Sequence, residues 1–274
     1  MSARARLTTE QLRLLRRGRQ PRLDVVLKAQ ERERSTRKRE RADKHPQPTP
    51  EQIQHELAET ANLPIVPLLA ALFDDPKMFD SFDQFHSAGF RLIEHSENKI
   101  MSGSHKRARG YLFKKYKNDK PGDKQLRNYM RRIEGARLLR SFIADHGFQH
   151  VVTPKKWLYE LSPSFPERYL VIAEKLDLAS RSSTESNYDH IGKAQLRELA
   201  TILYYFRGLN STSSNLPFTE DGKIAFIDTE RWHHDKDYLH RVGARLSSAR
   251  RELAEDVYKE LKRQGARPYQ SMFK

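Results

Sequence analysis

The chain has 274 residues, enough for one large domain or two small ones with a sizeable core. Hydrophobic residues make up 37% and charged residues 32%, and no run of about 18 apolar residues occurs, which argues against a membrane span. The absence of cysteine excludes disulfides, thiolate catalysis and thiol-ligated zinc, and the formal charge of +15 is concentrated at the start, where fifteen Lys and Arg stand against six Asp and Glu through His45.

Residues 1–49 read as a basic arm, helical or disordered, with a helix-compatible stretch near residues 9–17 and a charged run, KAQERERSTRKRERADKHPQP, that ends in prolines. The first residues lack the uninterrupted apolar stretch and small-residue cleavage site of a secretory signal, so the expectation is an uncleaved, cytoplasmic start. Residues 1–45 have the charge to meet RNA, DNA or an anionic surface by counterion release. No aromatic side chain precedes Phe73, however, so the arm has nothing on which bases can stack.

At TPEQIQHELAET a threonine cap followed by proline predicts a helix, and residues 50–88 read as a helical extension. Its second part, LPIVPLLAALFDDPKMFDSFDQF, is too short to span a bilayer and suits packing against the main domain. Beyond Gly89 the segments FRLIEH, NKIMSGS and GYLFKKY read as strands bounded by Gly, Ser or Asn. A long helix is predicted over about 123–146, with Leu126, Met130, Ile133, Leu138 and Phe142 as its apolar stripe. HVVTPKKWLYEL and RYLVIAEKL read as two strands around the turn SPSFPE, and RSSTESNYDHIG as a polar loop. A helix over about 193–207 then leads into GLNSTSSNLPFTEDGKIAFIDTERW, where EDG is a hairpin turn and KIAFID a buried strand. The last forty residues look helical. The order predicts an α+β fold of two lobes, 89–176 a small sheet lobe and 177–274 a mostly helical lobe.

From about Phe90 to Trp232 this run of elements and residues resembles the protein-kinase-like superfamily, whose signature set is a strand lysine, a helix glutamate, a catalytic-loop Asp and Asn, and a metal-binding Asp. In the pattern H-R-D-x-x-x-x-N the last residue corresponds to Asn215, and the metal-binding Asp to Asp228 at the end of KIAFID. The resemblance therefore implies an ATP- and Mg2+-binding cleft in which Asn215 and Asp228 hold the metal through hard oxygen atoms. Glu230, in DTE where the family usually has DFG, resembles choline-kinase-like relatives in which an acidic residue assists with metal. Of the two lysines in YLFKKY only one can enter the cleft, since side chains alternate along a strand. The match to V-A-I-K favours Lys114 over Lys115, with Glu134 as the residue that orients it. By the same resemblance Ala173 backs the adenine pocket, and backbone groups of Glu174 and Leu176 meet the base.

Three departures qualify the resemblance. The G-x-G-x-x-G loop is missing; only Gly103 and Gly110 flank SHKRAR, which leaves Lys106, Arg107 or backbone amides to contact phosphates. The position of the catalytic aspartate holds Asn210, and an amide cannot serve as a general base. No A-P-E segment follows Asp228, which points to an atypical, small-molecule-kinase-like branch with an abbreviated large lobe. Transfer of phosphate to a hydroxyl of an unidentified acceptor is the function these residues imply. The alternatives are a pseudokinase acting as a nucleotide- or partner-binding scaffold, and a basic nucleic-acid-binding protein. The cluster His233, His234, Asp235, Asp237 and His240 has zinc-binding residue types but no spacing that fixes them on one face, and reads as a polar loop.

Overall fold

The structure, a computed structural model, describes residues 47–93, 100–118, 122–212, 214–232 and 239–269, without the side chains of 122–124 and 240. Contacts divide the chain into Gln47–Ser271 and a second unit formed by Met1–Pro46 with Met272–Lys274. Every described element belongs to the first. The part of the expected basic arm up to position 46 lies outside the described residues.

Helix α1 (Pro50–Ala61) starts where the sequence places it. Thr49 accepts from the Gln52 amide, the Gln52 side chain accepts from the Thr49 amide, and Pro50 occupies the first turn, where its missing N–H costs nothing. The extension then breaks into short pieces: α2 (Val66–Leu72), a 3-10 turn over Pro76–Phe79 and α3 (Phe82–Ser87). Ser81 and Asp75 cap the last two by accepting backbone N–H groups.

Five strands form one antiparallel sheet: β1 (Phe90–Leu92), β2 (Ile100–His105), β3 (Tyr111–Tyr116), β5 (Lys156–Glu160) and β6 (Tyr169–Glu174), in the spatial order β1-β2-β3-β6-β5. Between β3 and β5 run the long helix α4 (Gly122–Asp145) and the two-residue strand β4 (Val151–Val152). The segment HVVTPKKWLYEL was expected as one strand and is two. Pro154 has no N–H to give a ladder, and the chain changes partners across it. β4 pairs in parallel with β7 (Ile224–Ala225), whereas β5 pairs with β6. The seam continues on both sides, because Ile224 N donates to His150 O, Phe226 N to Val152 O and Thr153 Oγ1 to Phe226 O.

The two sheet faces bury different partners. Met101, Phe113, Leu170 and Ile172 face α2, the 3-10 turn and α3, where Leu69, Phe73, Phe79 and Phe85 are buried. Phe85 stacks on Phe90 with ring centroids 4.4 Å apart, and each such buried ring contributes about 2–3 kcal/mol. On the other face Leu158 and Val171 meet Tyr129 and Ile133 of α4, with Ile53 and Leu57 of α1 beside them.

The helical part holds α5 (Arg181–Asp189), α6 (Lys193–Tyr205), α7 (Leu239–Gly243) and α8 (Ser248–Arg263). Their core includes Leu196, Leu199, Leu203, Phe206, Leu216, Phe226 and Val257. Most of the expected polar loop over 181–192 is a helix instead, Arg181–Asp189. Ser180 caps it by accepting from Ser183 N, and Thr184 and Tyr188, four residues apart, are its buried anchors. With the eight helices counted among the described residues, the fold class is α+β. None of the described helices is long and apolar enough to cross a membrane.

Candidate functional site

Cross-strand pairing sorts the residues of YLFKKY. Lys114 stands opposite Val171 and Ser102, Leu112 opposite Ala173, and Ala173 opposite Lys156. Val171 packs against α4, so Leu112, Lys114, Ala173 and Lys156 share the α4-facing side. Lys115 takes the other face, where its ammonium lies over the Phe79 ring, 4.9 Å from the centroid, and donates to Asn118 Oδ1 at 3.3 Å. Burial there pulls its pKa down to about 8, against the attraction of Glu167 and Asp80.

On the α4-facing side the sheet meets the segment that follows β7. Lys156 is buried, and its Nζ donates to Ile227 O at 3.0 Å and Thr229 Oγ1 at 2.8 Å. Thr229 Oγ1 in turn donates to Arg132 O at 2.7 Å. Arg132, in the middle of α4, donates from Nη1 to Asp228 Oδ1 at 3.0 Å and from Nη2 to Glu230 Oε2. The helix can come this close because residue 135 is glycine. A Cβ there would stand 2.4 Å from Thr229 O and 2.4 Å from Trp232 Cδ1.

Charge in this cluster follows from burial and pairing. Burial disfavours the Arg132 guanidinium, but Asp228 and Glu230 outweigh it and hold the proton more firmly than in water. Burial likewise raises the Asp228 carboxyl, and Arg132, Lys114 and Lys156 reverse that, so its pKa lies below the ordinary value. Lys156 is the opposite case. Burial and the like charge of Lys114 leave its pKa well below the usual amine range.

The remaining sequence-derived residues fall as follows. Asn215 and Asp228 come from neighbouring segments, since Ile227 N donates to Asn215 O at 3.2 Å. The Asn215 side chain donates from Nδ2 to Thr212 Oγ1 at 3.0 Å. Asn210 Oδ1 accepts from Arg241 Nη1 at 3.1 Å. Glu134, expected to orient Lys114, has Arg137, Arg131 and Glu56 as its charged neighbours. Burial raises its pKa to about 7, Glu56 adds to that and the two arginines oppose it. Ala173 is buried, and Glu174 is tied to Lys155 through both its amide and its carboxylate. Among the described residues nothing accepts from the Leu176 N–H.

Lys106 and Arg107 lie in the turn that joins β2 to the Tyr111 end of β3, beside Lys175, whose N–H donates to Gly110 O. Tyr116 and Asn128, which hydrogen-bond each other, mark the opposite end of that strand, near Arg132. His233, His234, Asp235, Asp237 and the side chain of His240 lie outside the described residues.

Sequence reasoning missed Arg132 and Lys156, the two basic side chains that organise the site. Both carried a signal. Arg132 is three residues after Tyr129 and four before Ala136, on the buried stripe of α4, and Lys156 shares strand parity with the buried Leu158.

The donor set does not fit a divalent cation as it stands. Both carboxylates that would hold it are taken by one guanidinium, and the described residues contain no group of three or more His, Cys, Asp and Glu placed to hold a metal ion. Comparison of the chain with protein-family models gives no match, and comparison with curated proteins gives none either.

Proposed function

We propose that the chain is a kinase-like protein that binds ATP between the α4-facing side of its sheet and the segments at 210–216 and 226–230, and that it transfers phosphate poorly. In this reading residues 89–176 and 177–274 are the two lobes of a kinase-like fold. One observation carries it: Lys114 shares a sheet face with Leu112 and Ala173 and lies within electrostatic reach of Asp228. An ammonium beside an apolar shelf is what a nucleotide needs, the shelf for the base and the charge for the phosphates. In this reading the Leu176 N–H, two residues past β6, donates to the base.

Poor transfer follows from Asn210. Its amide cannot take a proton from a hydroxyl, and its oxygen is already engaged by Arg241. Thermal unfolding tests the binding claim. ATP at about a hundredfold excess over Kd should raise the midpoint of the full chain by about 5 °C, and Lys114→Ala should remove the shift. Absence of stabilisation by any nucleoside triphosphate would sink the reading.

Phosphoryl transfer to a hydroxyl is the second reading, favoured by the bond from Ile227 N to Asn215 O that keeps the two would-be metal ligands on adjoining segments. It requires Arg132 to leave Asp228. Magnesium-dependent formation of ADP without release of inorganic phosphate, lost in Asp228→Ala, would favour it over the first.

A further inference from the structure

We infer that the cleft takes nucleotide phosphates without a divalent cation, with Arg132 standing where a metal would otherwise neutralise Asp228 and Glu230. The inference rests on the nucleotide reading above and adds to it the ionic form of the ligand: the free, metal-less nucleotide.

Three observations support it. First, Arg132 satisfies both carboxylates at once, with a different guanidinium nitrogen for each, and only 9% of its side chain is exposed. Second, the helix that carries it is held in place. The Arg132 carbonyl accepts from Thr229 Oγ1, Thr229 is held by Lys156, and Gly135 brings the helix against the same threonine. A cation competing for Asp228 would have to displace a guanidinium that is buried and already paired, leaving it only Glu230 and Tyr116. Magnesium also gives up its water reluctantly and demands near-octahedral oxygens, whereas one oxygen of Asp228 and one of Glu230 already face the guanidinium.

Third, the surroundings supply positive charge for phosphate by other means. Lys114 acts on Asp228 from the sheet side. On α4, Arg127 and Arg131 lie four residues apart and so share a helix face, and Arg131 lies within electrostatic reach of Glu230. Burial and the charge of Arg127 disfavour the Arg131 guanidinium, against the attraction of Glu230 and Glu134. An anion placed beside them relieves that repulsion.

The test is a calorimetric titration of the full chain with ATP, once in excess EDTA and once in excess magnesium. The expected result is a Kd at least as tight in EDTA as in magnesium, where most of the ATP carries the metal. Arg132→Gln should weaken binding in EDTA by about tenfold or more, because Asp228 and Glu230 then repel phosphate, and magnesium should restore it. Wild-type binding that is about tenfold or more weaker in EDTA overturns the inference and leaves the nucleotide reading standing. An unchanged EDTA affinity in a folded Arg132→Gln also overturns it. Absence of binding in both buffers removes the nucleotide reading itself, and the inference with it. The wild-type comparison decides the matter even if the variant does not fold.

Discussion

Gly135 is the residue on which the approach of α4 to the Asp228 segment depends. Its missing Cβ would lie 2.4 Å from a backbone oxygen, Thr229 O, and backbone cannot turn away as the end of a long side chain can. Gly135→Ala gains helix propensity yet forces the helix and the segment apart. The expected outcome is a loss of about 1–3 kcal/mol in urea unfolding, together with weaker ATP binding. A variant as stable as the parent would mean that the segment is free to shift. Single residues also show what could be read beforehand. The start of α1 at Thr49 follows from capping, a local property, whereas the choice of Lys114 over Lys115 and the pairing of Asn215 with Asp228 are implied by the family resemblance and not by period alone. Arg132 and Lys156 could not be weighed in the same way, because a buried cation is expensive until its partners are known, and those partners lie up to 98 residues away.

Among the elements, the contact of α1 with α4 carries the clearest pH dependence. Glu56 on α1 is buried and paired with Arg137 of α4, and Glu134 sits beside that pair with its pKa raised to about 7. The folded protein therefore binds the Glu134 proton more tightly than the unfolded chain, whose ordinary value is 4.5. Stability contributed by the protonated form is complete below that value and is lost as pH rises through about 7. Glu134→Gln should therefore match the parent near pH 4 and exceed it in chemical denaturation at pH 8. If the two curves stay parallel across the range, the carboxyl is not displaced in this way. The same scale explains the element errors. α5 has too few apolar residues for a periodic signal and is held by one threonine and one tyrosine, whose OH donates to Leu216 O. The α4 stripe shifted because Gln125, Tyr129 and Arg132 occupy buried positions that a count of apolar side chains passes over.

At the scale of the whole chain, charge and fold are distributed differently. About nine of the fifteen excess positive charges precede Pro46, whereas the described sheet, helices and cleft all lie within Gln47–Ser271. A chain shortened to Gln47–Ser271 is expected to unfold cooperatively and to keep its stabilisation by ATP. Any affinity for RNA or DNA that falls steeply with salt should vanish with the arm. Retention of such affinity by the shortened chain would move the nucleic-acid contact onto the folded unit and count against the assignment of that role to residues 1–45.

The seam from His150 through Lys156 to Ile224 through Thr229 sets how this cleft can work. Bonds at successive positions, from backbone, hydroxyl and ammonium groups alike, stitch the approach to β5 onto the strand and loop that end at the acidic residues. Such stitching ties the two walls to each other along this line. If the proposed nucleotide binds there, the wall that receives its phosphates is one continuous hydrogen-bonded surface of sheet and loop, and side-chain movements at its rim run far faster than any pivoting of one body on another.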